Sequence, residues 1–327
     1  MKNFPKRFLF PERMVAVDAK SRALIELGRL LQLRGYRFVA VAPSTHDRVL
    51  RREEASPSLE SIFGWSRPFD REAIDGCLIE LLEQADALET EAGRYKSKVR
   101  FASIDDLLFV HSAFPTTEPD SVFFGPDTYR FVRLLRVTLS KVGKRKPLRL
   151  VDIGAGSGAG GIIAARVLGR GTELILADIN RKALAFSAVN AALNGPPNAQ
   201  TILSDIFAEI DGAADVIISN PPYLVDEDRR LYRHGGGELG ITLGLRIAKE
   251  SMAKLVPGGC LVLYSGTPIV NGADAFFESL RPVLQLYASH FVYEEIDPDV
   301  FGEELDRPAY AHVDRIAAVG LTVIKRG

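Results

Sequence analysis

Cysteine is nearly absent from this chain: Cys77 and Cys260 are the only two in 327 residues. That excludes a disulfide framework and any spaced thiolate metal set, and a reduced, cytoplasmic location is the default expectation. Histidine is scarce as well. The five residues His46, His111, His234, His290 and His312 are scattered, so no metal site is read from them. No apolar run approaches the ~20 residues of a membrane span. Met1 to Met14 carries basic residues and Phe8-Leu9-Phe10, but this apolar stretch is too short for a signal peptide and no small-residue cleavage site follows. Internal repeats and low-complexity segments are lacking too, which argues against solenoid and linker-rich designs.

What remains is a soluble-type composition, 46% hydrophobic and 25% charged, on a chain long enough for two cores. The net charge of −1 hides an asymmetry. Residues 1–60 carry about +5, 61–90 about −5, 91–150 about +6 and 151–327 about −7. The N-terminal half is thus basic in two stretches. Such a segment suits an anionic partner such as RNA, or is simply a solvated surface.

Ala19–Arg34 reads as an amphipathic helix through Leu24, Leu27, Leu30, Leu31 and Leu33, with Gly35 ending it. Tyr36–Ala42 is β-prone until Pro43, Glu72–Gln84 reads as a second helix, and Ala87–His111 as two or three short strands around Gly93 and Asp105-Asp106. Helix followed by hairpin is the order of a small winged-helix module, with an irregular α+β cap as the rival. His111–Gly125 reads as a linker. Gly125-Pro126-Asp127-Thr128 then opens a helix to about Val142, with Asp127 placed to cap it. From Leu148 the pattern changes. Leu148–Ile153, Glu173–Ala177, Thr201–Leu203, Asp215–Ser219 and Gly259–Ser265 are short apolar runs separated by helical segments, the signature of a parallel sheet covered on both faces. Val283–Ile296 and Arg315–Lys325 predict a closing pair of strands, the last antiparallel.

The first of these strands delivers Asp152 into Gly154-Ala155-Gly156-Ser157-Gly158. Glycines serve where the backbone turns with positive φ and where a ligand approaches the main chain. Gly156-x-Gly158-x-x-Gly161 also fits the dinucleotide fingerprint, so the glycines do not choose between S-adenosylmethionine and NAD or FAD. Asp152 shifts the balance: a carboxylate there can meet the cationic methionine end of the first and would repel a pyrophosphate. Asp178 ends the second strand, where an acid accepts from ribose hydroxyls of either cofactor. Asp205, in Ser204-Asp205-Ile206, could accept from an adenine amino group, or be a turn or cap residue.

Val216-Ile217-Ile218-Ser219 runs straight into Asn220-Pro221-Pro222-Tyr223, at the strand end where open α/β sheets bind ligands. An amide or exocyclic amine nitrogen has its lone pair delocalised and is a poor nucleophile. To attack an electrophilic methyl it must be aimed in line, with its N–H groups held. The Asn220 side-chain oxygen and the Pro221 carbonyl are acceptors for that purpose. Pro221 and Pro222 stiffen the turn and so preorganise them; Tyr223 could stack on the planar group. No metal or strong base is needed, because the donor's positive charge vanishes on transfer.

(Asn/Asp/Ser)-Pro-Pro-(Tyr/Phe) after the fourth strand, about 65 residues beyond a glycine loop, resembles the class I S-adenosylmethionine-dependent amino-methyltransferases. From roughly Phe123 to Lys325 the chain is similar to the release-factor-type glutamine N5-methyltransferases and the small-domain RNA methyltransferases. The resemblance implies a Rossmann-like seven-stranded α/β sheet with an antiparallel last strand over residues 114–327. The smaller α+β accessory domain read over 1–113 does not look like the five-helix bundle of the release-factor enzymes; its basic stretches and its length are what suggest that it recognises substrate. It implies S-adenosylmethionine as cofactor and S-adenosylhomocysteine as product. Asp152, Gly154, Ala155, Gly156, Ser157, Gly158, Asp178, Ile179, Asp205, Ile206 and Asn220 would line the cofactor, and Asn220, Pro221, Pro222 and Tyr223 would carry the chemistry. Phe124-Gly125-Pro126-Asp127-Thr128 stands where release-factor enzymes have Pro-Arg-Pro-Glu-Thr, a departure that bears on substrate. Arg229–Gly240, with Tyr232, Arg233 and His234, is expected as a mobile substrate-side loop. A protein glutamine is the first reading of the substrate, favoured by Tyr223 and the mixed-charge surface; a nucleobase amine in RNA or DNA is the alternative, favoured by the basic N-terminal stretches. A small molecule comes third. The rivals of another class are a nicotinamide or flavin oxidoreductase and a cofactor-binding protein without catalysis.

Overall fold

A computed structural model describes residues 18–53, 57–142 and 148–327. The reading made for Met1 to Met14 lies outside the described residues.

The N-terminal part is built from α1 (Ala19–Leu33), α2 (Pro43–Leu50), α3 (Leu59–Phe63) and α4 (Gly76–Gln84). Two antiparallel hairpins follow, β1 (Leu88–Glu91) with β2 (Arg94–Ser97) and β3 (Val99–Ile104) with β4 (Leu107–Ser112). Asp18 caps α1 by accepting from the Ser21 N–H at 2.8 Å, and the helix buries Leu24, Leu27 and Leu31 along one side. Tyr36–Ala42 is not a strand. It meets β3 through Phe38 and Ser103, but the Ala40 N–H is taken by the Tyr129 hydroxyl, and Pro43 then starts α2. The helix expected from Glu72 is split, because Ile74 is extended; a short 3₁₀ turn at Arg71–Ala73 precedes α4.

The second part opens with α5 (Pro126–Leu139). It continues as β5 (Arg149–Ile153), α6 (Ala159–Leu168), β6 (Glu173–Asp178), α7 (Arg181–Asn194), β7 (Gln200–Leu203), β8 (Ala214–Ser219), α8 (Thr242–Lys254) and β9 (Leu255–Val270). The two-residue β10 (Ala273–Asp274), α9 (Ala275–Tyr287), β11 (Ala288–Asp297) and β12 (Arg315–Lys325) complete it. The sheet order is β11-β12-β9-β8-β5-β6-β7, with β10 on β9. β5 to β9 are parallel, and β12 is antiparallel to both its neighbours. This is the Rossmann-like sheet with an antiparallel last strand that the sequence predicts. One boundary differs: Val283–Tyr287 belongs to α9, because Phe276, Leu280 and Leu284 repeat every four residues on its buried side and helical burial outweighs the local β preference.

Successive residues of each strand serve opposite faces. Leu150, Leu174, Leu176 and Val216 face a cluster with α5, α6 and α7, whereas Val151, Ile175, Ile217 and Leu261 face α8 and α9. The N-terminal part joins the first cluster: Leu27, Leu31, Phe101 and Phe109 lie in the same continuous core as Leu135, Ile162 and Val189. Its junction with the sheet layer is polar as well as apolar. Asn190 of α7 accepts from the Val110 N–H and donates to the Val110 carbonyl, while Asn194, one turn on, donates to the Leu108 carbonyl at 2.7 Å. Two side-chain amides thus supply β4 with the pairing that a neighbouring strand would give.

Candidate functional site

The ladder registers bring the site together. Ile153 stands opposite both Ala177 and Ser219, and Asp178 opposite Leu203. The residues that follow (Gly154, Ser204 and Asn220), together with Asp178 itself, therefore emerge at one level of the sheet. They border one cavity of ≈ 220 Å³ that all the sequence-predicted cofactor residues except Gly158 line.

The glycine loop folds over the tip of β6. Gly154 and Ala155 donate to the Ala177 carbonyl at 2.9 and 3.0 Å, and Gly154, Gly156 and Gly158 all have positive φ, which glycine adopts without steric cost. Side chains of α7 hold the loop from behind: Ser187 Oγ donates to the Gly156 carbonyl, and Asn190 Nδ2 to the Ser157 carbonyl at 2.8 Å. Asn190 therefore ties β4 and the loop together. Nothing in the local sequence announces that role.

Asp152 is 2% exposed, and its Oδ2 accepts from the Gly161 N–H, in the first turn of α6, at 2.8 Å. Burial, with the Asp178 charge adding to it, pushes its carboxyl up to about 8 against the opposing Gly161 bond. The positive end of α6 thus already faces a carboxyl group. Asp178 holds the loop with one oxygen, accepting from the Gly156 N–H at 2.9 Å, and takes the Asn180 N–H with the other at 2.8 Å. Each oxygen keeps a lone pair for a ligand hydroxyl; burial shifts this carboxyl upward too. Ile179, next along, leaves 59% of its surface exposed, and Ile206, in the left-handed region at φ +53, is largely buried and forms part of the cavity wall. Ser204, not Asp205, takes the turn-closing bond, accepting from the Glu209 N–H at 3.1 Å. Asp205 is left at the rim opposite Arg246, 3.5 Å away.

Asn220 leaves β8 and lines the cavity with Pro221, Pro222 and Tyr223. Among the described residues the Asn220 side chain has no hydrogen-bond partner. Tyr223 is seated quite differently from a free aromatic. Its ring lies on Gly266 of β9, where a Cβ would come within 2.2 Å of the ring. Its hydroxyl donates to Asp127 Oδ2, while Tyr264, within β9 one residue past the partner of Ser219, donates to Asp127 Oδ1 at 2.7 Å. Arg130 holds the same carboxylate at 3.1 Å and reaches Asp297 at 2.7 Å. Burial raises both tyrosine hydroxyls above their ordinary range, and the Asp127 charge adds to it. Asp127 is therefore not the helix cap: Gly125 occupies that position, its N–H facing Thr128 Oγ1 at 3.4 Å, and the Asp127 side chain turns inward.

Two further segments wall the cavity. Leu231 donates its N–H to the Pro119 carbonyl at 3.1 Å, Tyr232 donates to the Thr116 carbonyl at 2.9 Å, and the Tyr232 ring lies parallel to Phe123 with centroids 5.7 Å apart. Behind them, Arg230 and Arg233 pair with buried Asp226, and Arg233 with Glu304. The loop expected over Arg229–Gly240 is thus pinned at several points. His234 does not line the cavity; its Nδ1 accepts from the Asp226 N–H at 3.2 Å. Phe301, at φ +57, brings its ring edge to Tyr223 at 6.0 Å. Asp127, Tyr264, Phe123 and Phe301 carry no motif of their own, and only the position of Asp127 just ahead of the sheet hinted at a role.

Residues 132–266 match the family described as Methyltransferase small domain. A release factor glutamine methyltransferase of Deinococcus radiodurans is 31% identical over 140 residues, 40% of this chain and 50% of that relative. A ribosomal RNA small subunit methyltransferase C of Chromohalobacter salexigens is 32% identical over 131 residues, 40% of this chain and 35% of that relative. Among solved structures, the T. thermophilus 16S rRNA N2 G1207 methyltransferase in complex with AdoMet and guanosine aligns with 79% of this chain and 63% of its own. Identity there is 18% and the TM-score 0.45. The chain spans half or less of the length of these two curated relatives.

Proposed function

We propose that this protein transfers the methyl group of S-adenosylmethionine to a planar amide or amino nitrogen of a macromolecule. The observation that carries the proposal is the meeting of Asn220, with its uncommitted amide, and the two carboxyls Asp152 and Asp178 around one cavity at the strand tips. The match to methyltransferase sequences over residues 132–266 supports it.

The residues present fit that cofactor. Asp152 would face its cationic amino-acid end, Asp178 would accept from the ribose, and Ile179 and Ile206 offer apolar surface to the adenine, with Asp205 at its edge. A dinucleotide fits poorly, because its pyrophosphate would meet the Asp152 carboxyl group at the start of α6. When bound, S-adenosylmethionine supplies an electrophilic methyl on a sulfonium.

The chain's own residues do the rest by position. The Asn220 oxygen and the Pro221 carbonyl accept from the two N–H groups of the substrate nitrogen, which turns its lone pair toward the methyl and stabilises the charge that develops as the bond forms. Pro221 and Pro222 fix the turn, while Gly266, Asp127 and Tyr264 hold Tyr223 beneath it, so the acceptors need no reordering when substrate arrives. The extra proton then leaves from a nitrogen that has become far more acidic, so no strong base has to be supplied.

Two titrations and one labelling experiment test the assignment. S-adenosylmethionine should bind with one site per chain, and NAD+ should not bind. Methyl-labelled cofactor incubated with fractionated cell extract should label a protein or RNA fraction with the wild type and not with Asn220→Ala. Labelling that survives the substitution refutes the role given to Asn220.

A further inference from the structure

We propose that the exposed arginines at the end of α2 are a docking site for the phosphate backbone of a single-stranded RNA whose base enters the cavity; this rests on the reading of that cavity as a methyl-transfer site. Pro43, the first residue of α2, lines the cavity, so the helix starts at the mouth and leads away from it. Arg48, Arg51 and Arg52 follow five, eight and nine residues later. At 1.5 Å per residue Arg48, in the helix, and Arg51, its C-cap residue, lie ~8–12 Å along this direction, a distance a nucleic-acid strand covers in a few nucleotides. The offset of three places Arg48 and Arg51 on one side of the helix end, and Arg52 follows directly after the cap.

All three are exposed, and none has an ion pair among the described residues. Asp47 and Glu53 are exposed beside them in sequence, and neither pairs with any of the three. The fold does not need these charges either. The last carbonyls of α2 are taken by a different side chain, Arg67, which donates to the carbonyls of Val49 at 2.8 Å, Leu50 at 3.3 Å and Arg52 at 3.0 Å. Three guanidinium groups that neither cap the helix nor neutralise a carboxylate are available to phosphates, which they bind in a bidentate manner.

The cavity wall points to the same class of partner. Phe123 and Tyr232 form a parallel aromatic pair there, half-buried, and Leu231 is 44% exposed beside them. An unstacked base is recognised by an aromatic face next to a basic track; an acidic peptide would use the track and leave the aromatic pair idle.

The test measures binding of the full chain to a fluorescein-labelled 12-nucleotide single-stranded RNA by anisotropy, without cofactor, across a KCl series. Each phosphate contact to a single strand contributes ~0.7 to the slope of log K against log salt. Substituting Arg48, Arg51 and Arg52 together by Ala should therefore flatten the slope by about 2, and weaken binding at least tenfold at low salt. Arg48→Glu should act in the same direction by itself. S-adenosylmethionine binding and the melting temperature of the variants should match the wild type, since the side chains lie on the surface. An unchanged slope, or a poly-glutamate peptide binding the wild type as tightly as the RNA does, would overturn the docking site. Failure of the wild type to bind S-adenosylmethionine would instead remove the reading of the cavity, and the salt slopes would still report on the arginines.

Discussion

Tyr223 of the Asn-Pro-Pro-Tyr turn gives its hydroxyl to Asp127, a residue 96 positions earlier at the start of the helix ahead of the sheet. The same carboxylate takes the hydroxyl of Tyr264, 137 positions away. Helix α5, the turn that follows β8 and the interior of β9 are thereby locked through one buried carboxylate, next in the chain to the acceptors assigned to Asn220 and Pro221. A hydrogen bond to a charged group contributes ~1.5–3 kcal/mol, enough to decide how rigidly that turn is held.

Tyr223→Phe removes the hydroxyl and keeps the ring on Gly266, so cofactor affinity should be unchanged while methyl transfer falls about tenfold. Asp127→Asn should cost more, because Tyr264 and Arg130 lose their partner too. In a double-mutant cycle read from kcat the two changes should couple by ~1–2 kcal/mol; strictly additive effects would show that the bond positions nothing.

Gly266→Ala places a methyl 2.2 Å from the Tyr223 ring, and neither ring nor strand can yield freely. Overpacking of this kind costs ~1–3 kcal/mol, so a lower melting temperature and a loss of turnover should appear together, with cofactor affinity kept. An unaffected turnover would mean that the seat of Tyr223 is irrelevant to the reaction.

Asp178 does two jobs, holding Gly156 and facing the cavity. Its replacement by Ala should weaken S-adenosylmethionine binding at least tenfold in a calorimetric titration. Asn in its place keeps one acceptor oxygen and should fall between. Equal affinities for all three proteins would move the ribose contact elsewhere.

Asp152 supplies a pH signature. Burial raises its pKa to about 8 in the free protein, so near neutrality it is mostly protonated, and a cationic ligand favours the ionised form. Binding should therefore release a proton below pH 8, and affinity should rise from pH 6 toward pH 8 and level off above it. In the free protein the sign is opposite: the protonated carboxyl is the comfortable one, and the stability it contributes is lost as pH rises through 8. Asp152→Asn should flatten both profiles. Titrations in buffers of different ionisation enthalpy count the protons, and a pH-independent affinity in the wild type would contradict this account.

Much of the site was legible because its signals are local. A glycine turn after an apolar strand, acids at strand ends and Asn-Pro-Pro-Tyr each occupy a few consecutive residues, and parallel registers brought them level. Asp127 was legible as a candidate cap and as part of the segment ahead of the sheet, but not as a partner of tyrosines, since Gly-Pro-Asp-Thr looks the same whether the carboxylate turns back to the helix or inward to two tyrosines far along the chain. Asn190 and Asn194 gave no sign that they pair with β4. That junction also limits a simple experiment: a chain beginning near Phe114 would strip Leu27, Phe101 and Phe109 from a core they share with Leu135 and Ile162. Substitutions on the surface of α2 are the better probe of the N-terminal segment.

The assignment rests most heavily on Asn220. With labelled substrate fraction and saturating S-adenosylmethionine, Asn220→Ala should bind the cofactor within twofold of wild type and transfer methyl at least 100-fold more slowly, a loss of ~2.7 kcal/mol in the transition state. Equal transfer rates, or a collapse of cofactor binding that accounts for the whole loss, would show that Asn220 does not aim the nitrogen.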